Sequence, residues 1–188
     1  MTSPCTWYGI HCNHFGSVTK INLTSSGLKG TLHEFKFSSF PYLAYLDLSM
    51  NSLFGTIPPK IGHLSKLMYL DPSTNQFYGK FPVEICLLLD LEIEPLNSKY
   101  RNLLKLHYVN LSDNELNSGI PVQLGKLVQL SQLDLSHNYL SREIPTEFSN
   151  LQSLLTLNLS HNRLSGAIPE SFQSHSRVFL GTPWLGIH

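Results

Sequence analysis

A spacing restricts this chain more than any single motif does. Leu43 and Leu67 begin equivalent segments, and so do Leu106, Leu130 and Leu154, each 24 residues from the last within its block. After Leu43 the columns hold Leu46, Leu48, Asn51, Leu53, Gly55, Ile57, Pro58, Ile61, Gly62 and Leu64. After Leu130 they hold Leu133, Leu135, Asn138, Leu140, Ile144, Pro145, Phe148 and Leu151. After Leu154 they hold Leu157, Leu159, Asn162, Leu164, Gly166, Ile168, Pro169 and Phe172. A period of this length marks stacked supersecondary units, none of which buries its own apolar face without a neighbour.

Each column has a mechanical reading. In Ala44-Tyr45-Leu46-Asp47-Leu48 the apolar residues alternate, which predicts a short strand with Leu46 and Leu48 inward and Tyr45 and Asp47 outward. Stacked, such strands form one parallel sheet lining a concave face. The asparagines that follow (Asn51, Asn75, Asn114, Asn138, Asn162) stand where the chain turns into the core. There an amide can both donate to and accept from unpaired backbone groups of adjacent turns. The Gly and Ile-Pro columns allow a tight bend and an extended return segment.

The frame loosens at its ends and in its middle. Val18, Ile21, Leu23, Leu28, Gly30 and Leu32 fit repeat columns, while residues 1–17 form a partial cysteine-bearing cap over the open end of the core. Repeats are expected over 18–173, and residues 174–188 form a non-repeat tail. The step from Leu67 to Leu106 is 39 residues, and 88–105 lacks the Asn, Gly and Ile-Pro columns. That stretch is a shortened turn, a bulging loop or a seam. Pro72 takes an inward leucine position and cannot donate to a ladder. With two faults so close, the middle of the molecule is expected to be its weakest part and to skew the outward columns.

Composition excludes several partners. Charged residues are 14% of the 188 and balance to a net charge of zero, which leaves no basic stripe for nucleic acid. No stretch approaches the ~18 to 20 apolar residues of a membrane helix, so no membrane insertion by this chain is expected. Residues Met1 to Cys5 show no apolar h-region, so no signal peptide is expected within it. Three cysteines, Cys5, Cys12 and Cys86, are by themselves a weak redox signal; Cys86, beside Ile85, suits a buried thiol.

The motif Cys5-x-Trp7-x-Gly9-Ile10-x-Cys12 and the segment Leu164-Ser165-Gly166-Ala167-Ile168-Pro169 resemble the ectodomains of plant leucine-rich-repeat receptor-like kinases. Leu106 to Asn138 is most similar to the MDIS-interacting receptor-like kinase group, and the resemblance covers about residues 3 to 173. It implies a right-handed repeat superhelix with a parallel sheet on the concave face and short 3-10 turns on the convex side. It also implies a Cys5–Cys12 disulfide. The implied function is extracellular recognition, in the apoplast or on the outer face of the plasma membrane as part of a larger receptor. The partner would be a secreted peptide or another receptor ectodomain. Neither the transmembrane helix nor the kinase elements of that family stand in this sequence. Two alternatives share the architecture: a secreted inhibitor of a cell-wall-degrading enzyme, of the polygalacturonase-inhibitor kind, and a repeat protein that binds ice.

The candidate binding residues occupy two outward columns. One holds Tyr45, Tyr69, Tyr108, Gln132 and Thr156, and the next holds Asn22, Asp47, Asp71, Asn110, Asp134 and Asn158. Tyrosines are rigid, amphipathic anchors, and beside an acid and amide ladder they suit an extended peptide with polar or basic side chains. Pointing outward, they are expected to add little to the core. Asn22, Asn110 and Asn158 each open a glycosylation sequon, a wording that the repeat itself also generates. His137 and His161 stand one repeat apart, but two ligands fall short of a structural zinc site. Ser136, His137 and Asp134 are triad residue types, but a triad requires a converging pocket and an oxyanion hole, and these residues are the repeat template. No catalytic residue, metal or cofactor is expected.

Overall fold

A computed structural model describes residues 3–87, 106–169 and 178–179. Its strands are β1 (Ile10–Cys12), β2 (Val18–Asn22), β3 (Lys29–Gly30), β4 (Tyr45–Asp47), β5 (Ser52–Gly55), β6 (Tyr69–Asp71) and β7 (Gln76–Lys80). They continue as β8 (Tyr108–Asn110), β9 (Glu115–Gly119), β10 (Gln132–Asp134), β11 (Tyr139–Glu143), β12 (Thr156–Asn158), β13 (Arg163–Ser165) and β14 (Val178–Phe179). From β2 onward they sort by parity. The even strands form one parallel sheet, the concave one, with β1 antiparallel on its outer edge; the odd strands β3 to β13 form a second parallel sheet. Helical structure among the described residues is confined to 3-10 turns such as Pro59–His63, Val122–Lys126 and Thr146–Asn150. None of the described helices is long and apolar enough to cross a membrane.

The alternation in each even strand sets the core. Leu46, Leu70, Val109, Leu133 and Leu157 stack inward in register and are no more than 1% exposed. Phe37, Phe77 and Phe148 fill the space behind them. At the open end, Cys5 and Cys12 are joined in a disulfide, and β1 covers the edge of β2. Gly9 is needed there. Its φ is +73°, its carbonyl accepts the Asn22 N–H at 2.7 Å, and a Cβ on it would collide with the Asn22 carbonyl.

The asparagine column closes every turn in the same way. The Asn138 amide nitrogen donates to the carbonyls of Leu111, Leu135 and Ser136 at 2.8, 3.2 and 3.0 Å, and its oxygen accepts the Leu116 N–H at 2.9 Å. Asn51, Asn75, Asn114 and Asn162 repeat the arrangement, each tying its own turn to the preceding one. The residue before each asparagine is held in the left-handed region, from φ 51° at His137 to 56° at Met50, although none is glycine.

Two expectations about the middle need correction. β6 and β8 are direct neighbours, pairing Tyr69 with Tyr108 and Leu70 with Val109. The 39-residue step is therefore one turn of the stack, and the columns continue across it unskewed; residues 88–105 themselves lie outside the described residues, as does the tail apart from β14. Pro72 falls just after β6, buried, and removes one rung rather than a strand. Leu23, Leu48, Leu111 and Leu135 each donate an N–H to the next turn at 2.8–2.9 Å, a bond proline cannot make. The second sheet was not anticipated. It forms where the Leu-x-Gly-x-Ile-Pro segments run extended beside one another, and Ser118 (φ 76°) and Arg142 (φ 69°) take the left-handed position that Gly55 and Gly79 hold elsewhere.

Truncating the stacked core should be costly in thermal unfolding. Leu133→Ala and Leu157→Ala are expected to lose about 2–5 kcal/mol each. Asn138→Ala, which strands buried carbonyls and an N–H, should lose about 1–3 kcal/mol. Melting curves that do not move for both leucine variants would show that the strand phase is wrong.

Candidate functional site

Because the odd positions of each even strand face outward, stacking in register aligns them into columns. Lys20, Tyr45, Tyr69, Tyr108, Gln132 and Thr156 are successive Cα partners. Beside them run Asn22, Asp47 and Asp71, then Asn110, Asp134 and Asn158. The structure thus brings together every residue of the two expected columns and adds Lys20, which the sequence reading had not singled out.

The tyrosines form a stack. Ring centroids lie 4.0 Å apart for Tyr45–Tyr69 and 4.2 Å for Tyr69–Tyr108, with planes within 7° of parallel. The Lys20 ammonium caps the first ring at 4.1 Å from its centroid. A face-to-face sandwich is not the arrangement aromatic rings choose freely; strand spacing and the hydroxyl bonds impose it. Tyr45 donates to Asp47 Oδ2 at 3.3 Å, and Tyr69 and Tyr108 both donate to Asp71 Oδ2 at 3.2 Å.

The acids are tied from below as well. Asp47 Oδ1 accepts from the Ser49 N–H and hydroxyl at 3.0 and 2.7 Å. Ser73 does the same for Asp71, and Ser136 for Asp134. Asn110, Asn158 and Asn22 make the corresponding turn with Ser112, Ser160 and Thr24. This Asx turn is the physical reason for the recurring Asp/Asn-Leu-Ser wording, sequons included. The Asn110 and Asn158 amide nitrogens also donate to Asp71 and Asp134, at 3.4 and 3.1 Å, whereas that of Asn22 donates to no described residue.

These contacts revise the weight of individual residues. Asp47 and Asp71 are only 7% and 6% exposed, and the tyrosines are half-buried, so this half of the strip is part of the fabric of the fold rather than a free surface. Burial, reinforced by the neighbouring carboxylates, raises the pKa of Tyr45, Tyr69 and Tyr108 and keeps them as neutral donors. The remaining half is open. Gln132 is exposed, and Asp134 and Thr156 are half-buried. A serine stands two residues after each acid in the open half as in the closed one, so it marks the turn and not the burial.

Other candidates stay apart from the strip. His137 and His161 stack at 4.1 Å on the surface, with His137 Nδ1 3.9 Å from Asp113 Oδ1. No group of three metal-ligating side chains that could hold an ion occurs among the described residues. Cys86 is a buried free thiol whose pKa burial pushes up to about 12, which makes it a poor nucleophile.

Comparison with known proteins places this architecture. The Leucine Rich Repeat family pattern matches residues 42–64, 105–127, 129–151 and 153–175. MDIS1-interacting receptor like kinase 2 of Arabidopsis thaliana is 51% identical over 67 residues, covering 35% of this chain and 6% of that protein. A crystal structure of PEPR1-AtPEP1 superposes with a TM-score of 0.79 at 32% identity, over 96% of this chain and 23% of that one. The Arabidopsis receptor kinase HAESA ectodomain, in complex with an N-terminally extended IDA peptide hormone ligand, gives 0.63 at 30% identity, over 91% of this chain and 31% of that one. This chain therefore spans a small part of the curated relatives it matches.

The two halves of the strip should respond differently to the loss of an acid. Asp71→Ala strands five donors and should cost about 2–4 kcal/mol, while Asp134→Ala, half-exposed, should cost about 1 kcal/mol. The tyrosine stack adds a pH signature. Since folding raises the hydroxyl pKa values above 10.0, their stabilisation is complete below pH 10 and is lost as the pH rises beyond it. Denaturation midpoints for the two variants, and for wild type in alkali, check both; equal effects of the two alanines would contradict the division.

Proposed function

The chain is a leucine-rich-repeat solenoid of the plant receptor-kinase kind, and from that premise we propose that its concave strip is an extracellular recognition surface. The partner is a secreted peptide or another receptor ectodomain. The setting is the apoplast or the outer face of the plasma membrane, within a larger receptor, and the chain itself catalyses no reaction. The observation that carries this reading is the register of the two columns. It lays a continuous, rigid row of polar and aromatic side chains along the length of the sheet, the form an extended peptide can follow. The likeness to HAESA, whose ectodomain was solved with a peptide hormone, points the same way.

The two alternatives gain nothing comparable. Inhibition of a cell-wall-degrading enzyme would use the same columns, but the chain's sequence relatives include receptor-like kinases and receptor-like proteins. Ice binding requires a flat Thr/Ser array, and the outward column here is tyrosine, glutamine and threonine.

The test is capture of apoplastic peptides and proteins on the immobilised chain, identification by mass spectrometry, and affinity measurement against a Gln132→Ala/Asp134→Ala/Thr156→Ala variant. These residues lie outside the buried tyrosine–aspartate network, so the variant should fold. An interface of this type loses about 2 kcal/mol or more, roughly 30-fold in Kd. Wild-type affinity in the folded variant would place the partner on another face.

A further inference from the structure

We propose that the outer face of the Tyr108 ring, with the Asp134 carboxylate on the neighbouring strand, is a subsite for a guanidinium group, an arginine side chain of the ligand. This rests on the concave strip being a recognition surface. The tyrosine stack has two ends, and they differ. At Tyr45 the protein supplies its own cation, Lys20, over the ring face. At Tyr108 the described residues place neither a ring nor a cation on the outer face.

The hydroxyl bonds explain the opening. Tyr45 and Tyr69 bond the acid of their own turn, but the turn of Tyr108 carries Asn110 in that column. Tyr108 accordingly reaches back to Asp71 of the preceding turn, at 3.2 Å. Its register partner on the open side is Gln132, an exposed residue whose side chain makes no hydrogen bond among the described residues, so that side chain is free to swing aside.

The neighbouring carboxylate completes the site. Among the described residues, Asp71 Oδ2 accepts from three donors, whereas Asp134 Oδ2 accepts only from the Asn158 amide, at 3.1 Å. Asp134 is half-buried, and no described cation lies within ion-pair distance of it. His107, next to Tyr108 in the chain, has its Nδ1 engaged by the Gln129 carbonyl at 3.0 Å. A ring face beside an under-used carboxylate suits a planar cation, which can stack on the ring and bond the oxygen together. An ammonium group can do only one of these well.

The probe is acetyl-Gly-Arg-Gly amide, with its citrulline counterpart as the neutral isostere, titrated into the intact chain. Binding is followed by the NMR resonances of the Tyr108 ring and of residues 132–134. Saturable shifts with the arginine peptide are expected, at least about tenfold weaker with citrulline, and lost in Asp134→Asn, which keeps the shape of the side chain and the bonds its Oδ1 accepts from Ser136 while giving up the bond from Asn158. Equal binding of citrulline, full binding to Asp134→Asn, or no saturable shift would overturn the subsite. The ligand captured from the apoplast separates the two claims. A captured ligand without arginine that still protects the strip removes the subsite and leaves the recognition surface standing.

Discussion

One side-chain amide per turn holds this molecule together. Each ladder asparagine spends its two N–H bonds on three carbonyls and its oxygen on an N–H of the preceding turn, so a single residue satisfies the groups that a tight bend leaves unpaired. Each bond is worth only about 0.5–1.5 kcal/mol net, but leaving the groups unmade inside the core would cost more. Everything downstream follows from that closure. It fixes the spacing of the even strands, which fixes the register of the outward columns, which places three tyrosines face to face.

The concave strip is therefore two materials in one row. Between Lys20 and Asp71 the side chains consume one another: rings stack, hydroxyls point at buried carboxylates, and serines hold the other carboxylate oxygens. From Tyr108 to Asn158 the lattice thins, because Asn110 and Gln132 replace the acid and the tyrosine that would have continued it. A rigid half that does not relax beside an open half that still has bonding capacity is a favourable base for recognition, since little ordering remains to be done on binding.

Much of this was legible in the sequence, and the failures have physical causes. The strand phase, the inward leucines, the asparagine ladder and both outward columns follow from alternation and a 24-residue period, which are local properties. The second sheet does not, because Leu-x-Gly-x-Ile-Pro carries no alternation; its pairing depends on neighbouring turns already being stacked. The burial of Asp47 and Asp71 was hidden for a related reason. Which oxygen receives which hydroxyl depends on the turns above and below, and Tyr108 reaching back to Asp71 appears only once β6 and β8 are neighbours. Pro72 looked worse than it is because a proline one residue beyond a three-residue strand removes a single rung.

The central claim, that recognition occurs on the open half of the concave strip, is tested most directly by backbone hydrogen exchange with and without the captured partner. The account predicts added protection concentrated in residues 106–110, 130–135 and 154–158, with the second sheet unchanged. Protection centred instead on residues 52–55, 76–80, 115–119 and 139–143, with the even strands unaffected, would contradict it.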